Sequence, residues 1–404
     1  MRRFVALSVL LLPLAHTATA QPSPSPTRAR PHATAADVRL APTPPMGFNT
    51  WNKFGCDVSD RLVREMADAI VSSGMKDAGY QYVVIDDCWQ VGRDTSGRIV
   101  PDSVRFPSSI KPLADYVHGK GLKFGIYTDA GPRTCEGRPA SYGHEDIDAR
   151  TYAEWGVDYV KMDWCHADSL DAPTHYRKFR AALDKARRPI VLSICEWGRN
   201  NPWEWAPGVG QLWRITADIG DRWESIAWII NAGARLHEYS APGQYNDADM
   251  LEVGNGGMTP DEYRAHFAMW AMMASPLMAG NDLRSMSADT REILTNPEVI
   301  AIDQDRLGIG GHPIIDRGYG MQVWLKPLAD GSKAVALLNL RSDSVDAYVR
   351  WKDIGIANGP ARVRDLWKRQ DLGVHTDDGR DFATRFSAKV PPHGVVLLRI
   401  SPSR

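Results

Sequence analysis

Tyr82-Val83-Val84-Ile85-Asp86-Asp87, residues 82–87, is an apolar, β-branched run that stops on two acids. A short run of this kind reads as a buried strand. The same plan recurs at Gly47–Trp51, Lys123–Asp129, Tyr159–Asp163, Ile190–Glu196, Leu212–Asp218 and Gln244–Met250. An eighth strand is expected near Ala274–Met278. Helical patterns separate the runs: Ser59–Ala78, Lys111–Lys120 and Tyr176–Ala186. Ser59 or Asp60 is the natural N-cap of the first, and Gly79 its stop. Strand then helix, repeated, indicates a parallel sheet. The runs end at 87, 129, 163, 196, 218 and 249, and one βα unit takes roughly 30 residues. The expected fold is an α/β chain, a (β/α)8 TIM barrel over residues 41–310.

The flanking segments differ in character. From about Gly310 the helical pattern stops. Met321–Pro327 and Lys333–Leu340 alternate around Asp330-Gly331, a hairpin signal. Tyr348–Trp351, Arg362–Trp367 and Val395–Ile400 follow as short strands. Residues 311–404 therefore read as a small antiparallel β-sandwich without evident chemistry. At the other end, Arg2 and Arg3 precede the apolar run Phe4–Leu14 and the A-x-A site Ala18-Thr19-Ala20. Residues 1–20 read as a secretory signal. Residues 21–40, rich in Pro, Ser, Thr and Ala, read as a flexible linker. A secreted or periplasmic protein is expected, with no membrane partner after cleavage, because no later stretch is apolar and long enough to span a bilayer.

Bulk composition narrows the function. The 404 residues carry 48 basic and 49 acidic side chains, a net charge of -1. A nucleic-acid binder shows a basic excess, and this chain has none. Fourteen Trp suit sugar-ring platforms as well as cores. Five Cys is an odd number, so at least one is unpaired or bonds another chain. Neither C-x-x-C nor H-E-x-x-H occurs, which leaves no strong zinc signature. Nothing in the pattern speaks to an oligomeric state.

The strand ends carry the chemistry. Trp51, Asp86, Asp87, Asp129, Asp163, Glu196, Asp218 and Asp249 close successive strands. In a (β/α)8 barrel those ends form the active face. Any one Asp there is equally well a helix cap. A whole ring of acids repels itself unless a ligand or cations use it. In Lys161-Met162-Asp163, alternation puts the cation and the carboxylate on one face. A neighbouring ammonium keeps a desolvated carboxylate ionised, as a glycosidase nucleophile requires. A structural salt bridge is the plain alternative. Arg214, Thr216 and Asp218 share a face likewise, and Asp218 is a candidate second carboxylate. Asp86-Asp87 suits vicinal sugar hydroxyls or, alternatively, a divalent cation, and Asp247-x-Asp249 lacks the rest of a calcium loop.

Taken together, the motifs Pro45-Met46-Gly47-Phe48-Asn49-Thr50-Trp51, Ile85-Asp86-Asp87-Cys88-Trp89 and Gly121–Tyr127 point further, as do Lys161-Met162-Asp163, Cys195-Glu196-Trp197-Gly198 and Asn246–Leu251. They resemble glycoside hydrolase family 27, the α-galactosidase or melibiase family, from about Ala41 to Arg399. The resemblance implies a retaining double displacement on terminal α-D-galactose of oligosaccharides or galactomannan. Asp163 would be nucleophile and Asp218 acid/base. Asp86 and Asp87 would hold the 4- and 6-hydroxyls, with Trp51 as an apolar wall and Lys161 near the 3-hydroxyl. Arg214 and Glu196 would approach the 2-hydroxyl, and Tyr127 and Asp249 would complete the pocket. The resemblance also implies the disulfides Cys56–Cys88 and Cys135–Cys165, a free Cys195, and no metal or cofactor.

Departures from the family pattern are Trp164 after the nucleophile, Gln244-Tyr245, Ala248 and Gly220. They keep a β-L-arabinopyranosidase open as an alternative, and a non-catalytic, lectin-like barrel as a remoter one. Retention of Asp at both 86 and 87 favours galactose over arabinopyranose.

Overall fold

A computed structural model describes residues 31–316, 320–357, 359–377 and 385–403. The secretory-signal segment, and the linker up to residue 30, lie outside the described residues. Eight parallel strands follow one another in chain order: Met46–Asn49, Tyr82–Val84, Lys123–Asp129, Tyr159–Asp163, Val191–Cys195, Leu212–Arg214, Tyr245–Asp247 and Leu277–Ala279. The eighth pairs with the first, Leu277 opposite Met46. Leu251, just past the seventh, bridges to Ala279 of the eighth and closes the ring. Its N–H donates to Met278 O at 2.8 Å, and its carbonyl accepts from Gly280 N at 2.9 Å. The strands are three to seven residues long, so most end earlier than the sequence pattern suggests; the acids beyond them stand on loops.

Side chains near the strand starts plug the barrel. Tyr82, Val84, Tyr159, Val191, Leu212 and Tyr245 form one buried cluster, with the Tyr82 and Tyr159 rings 5.4 Å apart. Apolar material at the bottom leaves charged side chains only the upper layer, where Lys161, Asp163 and Arg214 stand.

The outer helices form for local reasons. Ser59 caps Asp60–Ser72, its hydroxyl accepting from Leu62 N, and Leu62, Val63, Met66, Ala67, Ala69 and Ile70 face the sheet. The stretch 59–78 is two helices rather than one, because Gly74 takes φ 86° between Ser72 and the short helix Met75–Ala78. Asp171 caps Ala172–Lys185. Thr259 and Glu262 form a capping box on Pro260–Met273. That last helix is buried on nearly every side from Tyr263 to Met273, as a helix wedged between two layers must be.

The second layer is the C-terminal sandwich. Its larger sheet runs His312–Asp316, Met321–Pro327, Lys333–Asn339, Val395–Pro402, Gly359–Asp365 and Gln370–Asp377, all antiparallel. Val345–Val349 pairs with Phe386–Val390 across the core. The stretch expected as a strand at 348–351 instead ends its strand at Val349 and turns into a 3-10 turn at Trp351. Lys326, fully buried, donates to Ala271 O at 2.9 Å and ties the sandwich to the helix Pro260–Met273.

One expectation fails outright. Residues 35–40 are not flexible linker but a helix, Ala35–Leu40, capped by Thr34 and Asp37 in a reciprocal pair. The second oxygen of Asp37 accepts from Gln211 Nε2 at 2.6 Å. Gln244 accepts from Ala33 N, and the Tyr245 hydroxyl donates to Pro42 O. Composition concealed this, because the anchoring partners lie about 200 positions away in the sequence.

Candidate active site

The upper ends of the strands surround a cavity of about 220 Å³, smaller than a typical drug-sized site of roughly 300 Å³ or more. Trp51, Asp86, Asp87, Tyr127, Lys161, Asp163, Arg214, Asp218 and Asp249 all line it. Nine of the ten catalytic and sugar-contacting residues expected from sequence are thus brought together.

The inner wall is a bonded lattice. Lys161 Nζ lies 2.8 Å from Asp86 Oδ2, which also accepts from Asn49 Nδ2 at 2.7 Å. Asp86 Oδ1 accepts from Asp87 N. Asp87 accepts from Cys88 N and Glu136 N. Arg214 lies 2.8 Å from Asp249 and 3.1 Å from Asp218. Asp249 also accepts from Ile219 N and Met250 N, which pins the loop bearing Asp218 to the next strand end. Cys88, Trp197 and Asp249 take φ of 76°, 59° and 75°. Non-glycine residues in that region carry strain, and such positions cluster where function sets the geometry.

The two candidate carboxylates differ. Asp163 is buried: one oxygen accepts from Trp164 N at 3.0 Å, the other from the Tyr127 hydroxyl at 3.1 Å. Burial pushes its pKa up to about 6; Lys161 opposes the rise and Asp86 adds to it. Asp218 stands on the loop past Leu212–Arg214, its side chain 68% exposed. What burial it has would raise its pKa, but Arg214 and Lys161 outweigh that and hold it below the usual carboxylate range. Burial would discharge Lys161, yet the Asp86 and Asp163 carboxylates keep it well above the ordinary lysine value.

Glu196 is the predicted residue that the cavity does not receive. It is fully buried, and one carboxylate oxygen accepts from Asn200 N at 2.7 Å and Asn200 Nδ2 at 2.8 Å. Trp197 lines the cavity in its stead. Strand parity and the turn beyond it explain the exchange. Ser193 faces the barrel interior beside Lys161 and Arg214, so Cys195 shares its side and Glu196 points away; the strand ends at Cys195, and the turn after it, with Trp197 at φ 59°, brings the indole to the cavity. Gly198, at φ 75°, completes the turn, where any Cβ would strike the Ile215 carbonyl. Asp129 also turns away and accepts from Gly131 N and Cys165 N. Both acids brace loops, neither lining the cavity nor capping a helix as the sequence reading allowed.

Asn52, Ile219, Met250 and Glu252 also line the cavity without having been singled out as site residues from sequence. Asn52 Nδ2 donates to Glu252 Oε1 at 2.7 Å. Both sit one residue past a quoted motif, which is the only signal that could have found them.

Both expected disulfides are formed, Cys56–Cys88 and Cys135–Cys165, and Cys195 is free and buried. The second ties the loop after the third strand to the residue two past Asp163. Asp129, Asp163, Cys135 and Cys165 come close enough together to suggest a cation site, but disulfide sulfurs lack the thiolate charge that binds a metal. The departures from family pattern lie outside the cavity. Trp164 stacks on Tyr176 with ring centroids 5.4 Å apart. Gln244 and Tyr245 hold the N-terminal segment, as described above.

A closed (β/α)8 barrel with an acid-lined cavity, two unlike carboxylates and an apolar Trp wall has the architecture of a glycoside hydrolase. Comparison with known proteins makes the class specific. The family model described as "Alpha galactosidase A" matches residues 43–305, and that described as "Alpha galactosidase C-terminal beta sandwich domain" matches residues 318–400. An α-galactosidase A of Cellvibrio japonicus is 49% identical over 378 residues, covering 90% of this chain and 93% of that one. An α-galactosidase of Cyamopsis tetragonoloba is 44% identical over 370 residues, covering 91% and 88%. The crystal structure of α-galactosidase I from Mortierella vinacea superposes with a TM-score of 0.86 at 40% identity, over 90% of this chain and 98% of that one. The chain belongs to the α-galactosidase (melibiase) family, glycoside hydrolase family 27.

Proposed function

We propose that this α-galactosidase releases terminal α-D-galactose from oligosaccharides or galactomannan branches by double displacement. Asp163 attacks the anomeric carbon while Asp218 gives its proton to the departing glycosidic oxygen. A galactosyl ester forms on Asp163. Asp218, now ionised, takes a proton from water, and that water's oxygen displaces Asp163 with a second inversion. The observation that carries this reading is the contrast between the two acids on one cavity. One is buried, fixed by Trp164 N and Tyr127 and accompanied by Lys161; the other is open to the leaving group and to water.

The remaining lining residues hold the sugar. Asp86 and Asp87 have anchored carboxylates beside Lys161 and suit the 4- and 6-hydroxyls and the neighbouring 3-hydroxyl. Trp51 covers the apolar face of the ring. Arg214 and Trp197 border the 2-position, and Tyr127 and Asp249 close the floor. No step in this scheme calls for a metal or cofactor. Export to an oxidising compartment is part of the same reading, and the two disulfides support it. No helix among the described residues is long and apolar enough to cross a membrane.

The direct test is proton NMR of the anomeric signals during hydrolysis of a nitrophenyl α-galactopyranoside. α-Galactose appears first and mutarotates to β. First appearance of the β anomer would rule out the double displacement.

A further inference from the structure

Asp218 borders two spaces. On its inner side lies the galactose-sized cavity. On its outer side lies an open groove of about 500 Å³ lined by Trp197, Arg199, Thr216, Asp218, Trp228 and Ala232. Trp197 and Asp218 line both. The acid must donate to the oxygen that joins galactose to its neighbour. The group beyond that oxygen therefore lies where the groove begins.

The groove is furnished for a sugar. Trp228 belongs to the helix Trp223–Gly233, whose Ile226, Ile229 and Ile230 are buried. Trp228 points the other way and is 51% exposed, one of few large apolar side chains so placed among the described residues. Ala232, four positions on, shares its face and leaves the indole uncovered. An exposed indole is a ready partner for the C–H face of a pyranose ring. Across the groove the Arg199 guanidinium lies 4.6 Å over the Trp197 ring. Thr216 is 4% exposed, and its hydroxyl oxygen is buried with no hydrogen-bond partner among the described residues. Buried hydroxyls are almost always bonded, so the Thr216 hydroxyl on the groove's lining has bonding capacity to spare.

We propose that the groove is an aglycone subsite, resting on the α-galactosidase mechanism above. It takes the sugar to which galactose is linked, stacks it on Trp228, and bonds one of its hydroxyls to Thr216. The favoured substrates are then galactosylated oligosaccharides and polysaccharide branches, not galactosides of small alcohols.

Raffinose, with a disaccharide aglycone, and α-galactosyl fluoride, with none, separate the two sites. The readout is the ratio of kcat/KM on raffinose to kcat/KM on the fluoride. Trp228→Ala lowers this ratio about tenfold, mainly through KM for raffinose, and Trp228→Phe restores most of it. Thr216→Val, close in shape, lowers it about threefold. Ala232→Trp fills the groove from the same helix face and lowers it too. A ratio within about twofold of wild type in all three disruptive variants overturns the subsite. Wild-type protein inert on both substrates would instead remove the α-galactosidase mechanism itself.

Discussion

The end of the fourth strand and the loop after the sixth each supply one carboxylate, and they are built in opposite ways. Asp163 is the last residue of a five-residue strand hydrogen-bonded to strands on both sides. Its oxygens are held by Trp164 N and Tyr127, and Cys165 nearby is tied to Cys135. Asp218 stands four residues beyond a three-residue strand, mostly exposed, held by Arg214 and by the neighbouring Ile219–Asp249 bond. A nucleophile must meet one carbon at one angle, and rigidity serves it. An acid/base must reach two different oxygens in two steps and admit water between them. The difference in anchoring thus matches the difference between the tasks proposed for them.

The sharpest way to break this comparison is to remove the fixed member. Asp163→Ala should lower kcat on every α-galactoside by on the order of 10⁵ while circular dichroism shows a folded protein. Azide, a small nucleophile that fits beside the new alanine, should restore turnover with a single inversion and yield β-galactosyl azide. Retained activity within about tenfold of wild type would remove Asp163 from its role. The exposed member should behave otherwise. Asp218→Ala should cost about 10³-fold on raffinose, whose leaving alkoxide needs a proton, and far less in kcat/KM on a nitrophenyl galactoside, whose leaving group does not. Equal losses on the two substrates would contradict the acid assignment.

Titration sharpens the same contrast. Double displacement needs one proton on the pair: Asp163 ionised, Asp218 protonated. In the free enzyme the higher pKa, about 6, belongs to Asp163, and Asp218 lies below the usual carboxylate range. The singly protonated pair therefore prevails between those two values, and catalysis draws on its less populated tautomer. As pH rises through about 6 the last proton is lost, so kcat/KM should fall by about tenfold per unit above that point. In Asp218→Ala the remaining requirement is an ionised Asp163. Its kcat/KM on the nitrophenyl galactoside should rise with pH near the same value, or level off if loss of Asp218 lowers the Asp163 pKa. Parallel falling limbs in the two enzymes would sink this account.

The comparison also shows what the sequence can carry. Tyr82–Val84 and Tyr159–Asp163 were legible because buried parallel strands are short, apolar and end at the active face, a local pattern. The bond between Asp86 and Lys161 was not legible: alternation put Lys161 beside Asp163, the resemblance placed Asp86 and Lys161 only in one pocket, and 75 positions separate them. The helix Ala35–Leu40 escaped because six residues are too few to show a period and because its anchors, Asp37 to Gln211 and Ala33 to Gln244, exist only once the barrel closes. The strand Gln370–Asp377 escaped for a different reason. It is an edge strand with mixed exposure and no clean alternation.

Glu196 gives the finest test, because motif and parity disagree there. The motif places it on the 2-hydroxyl; alternation from Ser193 turns it outward, and the turn after the strand gives the cavity Trp197. Burial raises the Glu196 pKa from an ordinary 4.5 to about 7, against the pull of Asn200. A carboxyl whose pKa is higher in the folded state stabilises that state below about pH 4.5 and loses the contribution as pH rises through about 7. Glu196→Gln keeps the shape and a neutral amide in place of the protonated acid. Its activity should stay within about threefold of wild type, and its urea midpoint should lose the part of the decline between pH 5 and 8 that Glu196 imposes on the wild type. Trp197→Ala, by contrast, should raise KM for every α-galactoside, the fluoride included. A large loss of kcat/KM in Glu196→Gln with unaltered pH dependence of stability would return Glu196 to the sugar and show that the motif, not the strand parity, reads this position correctly.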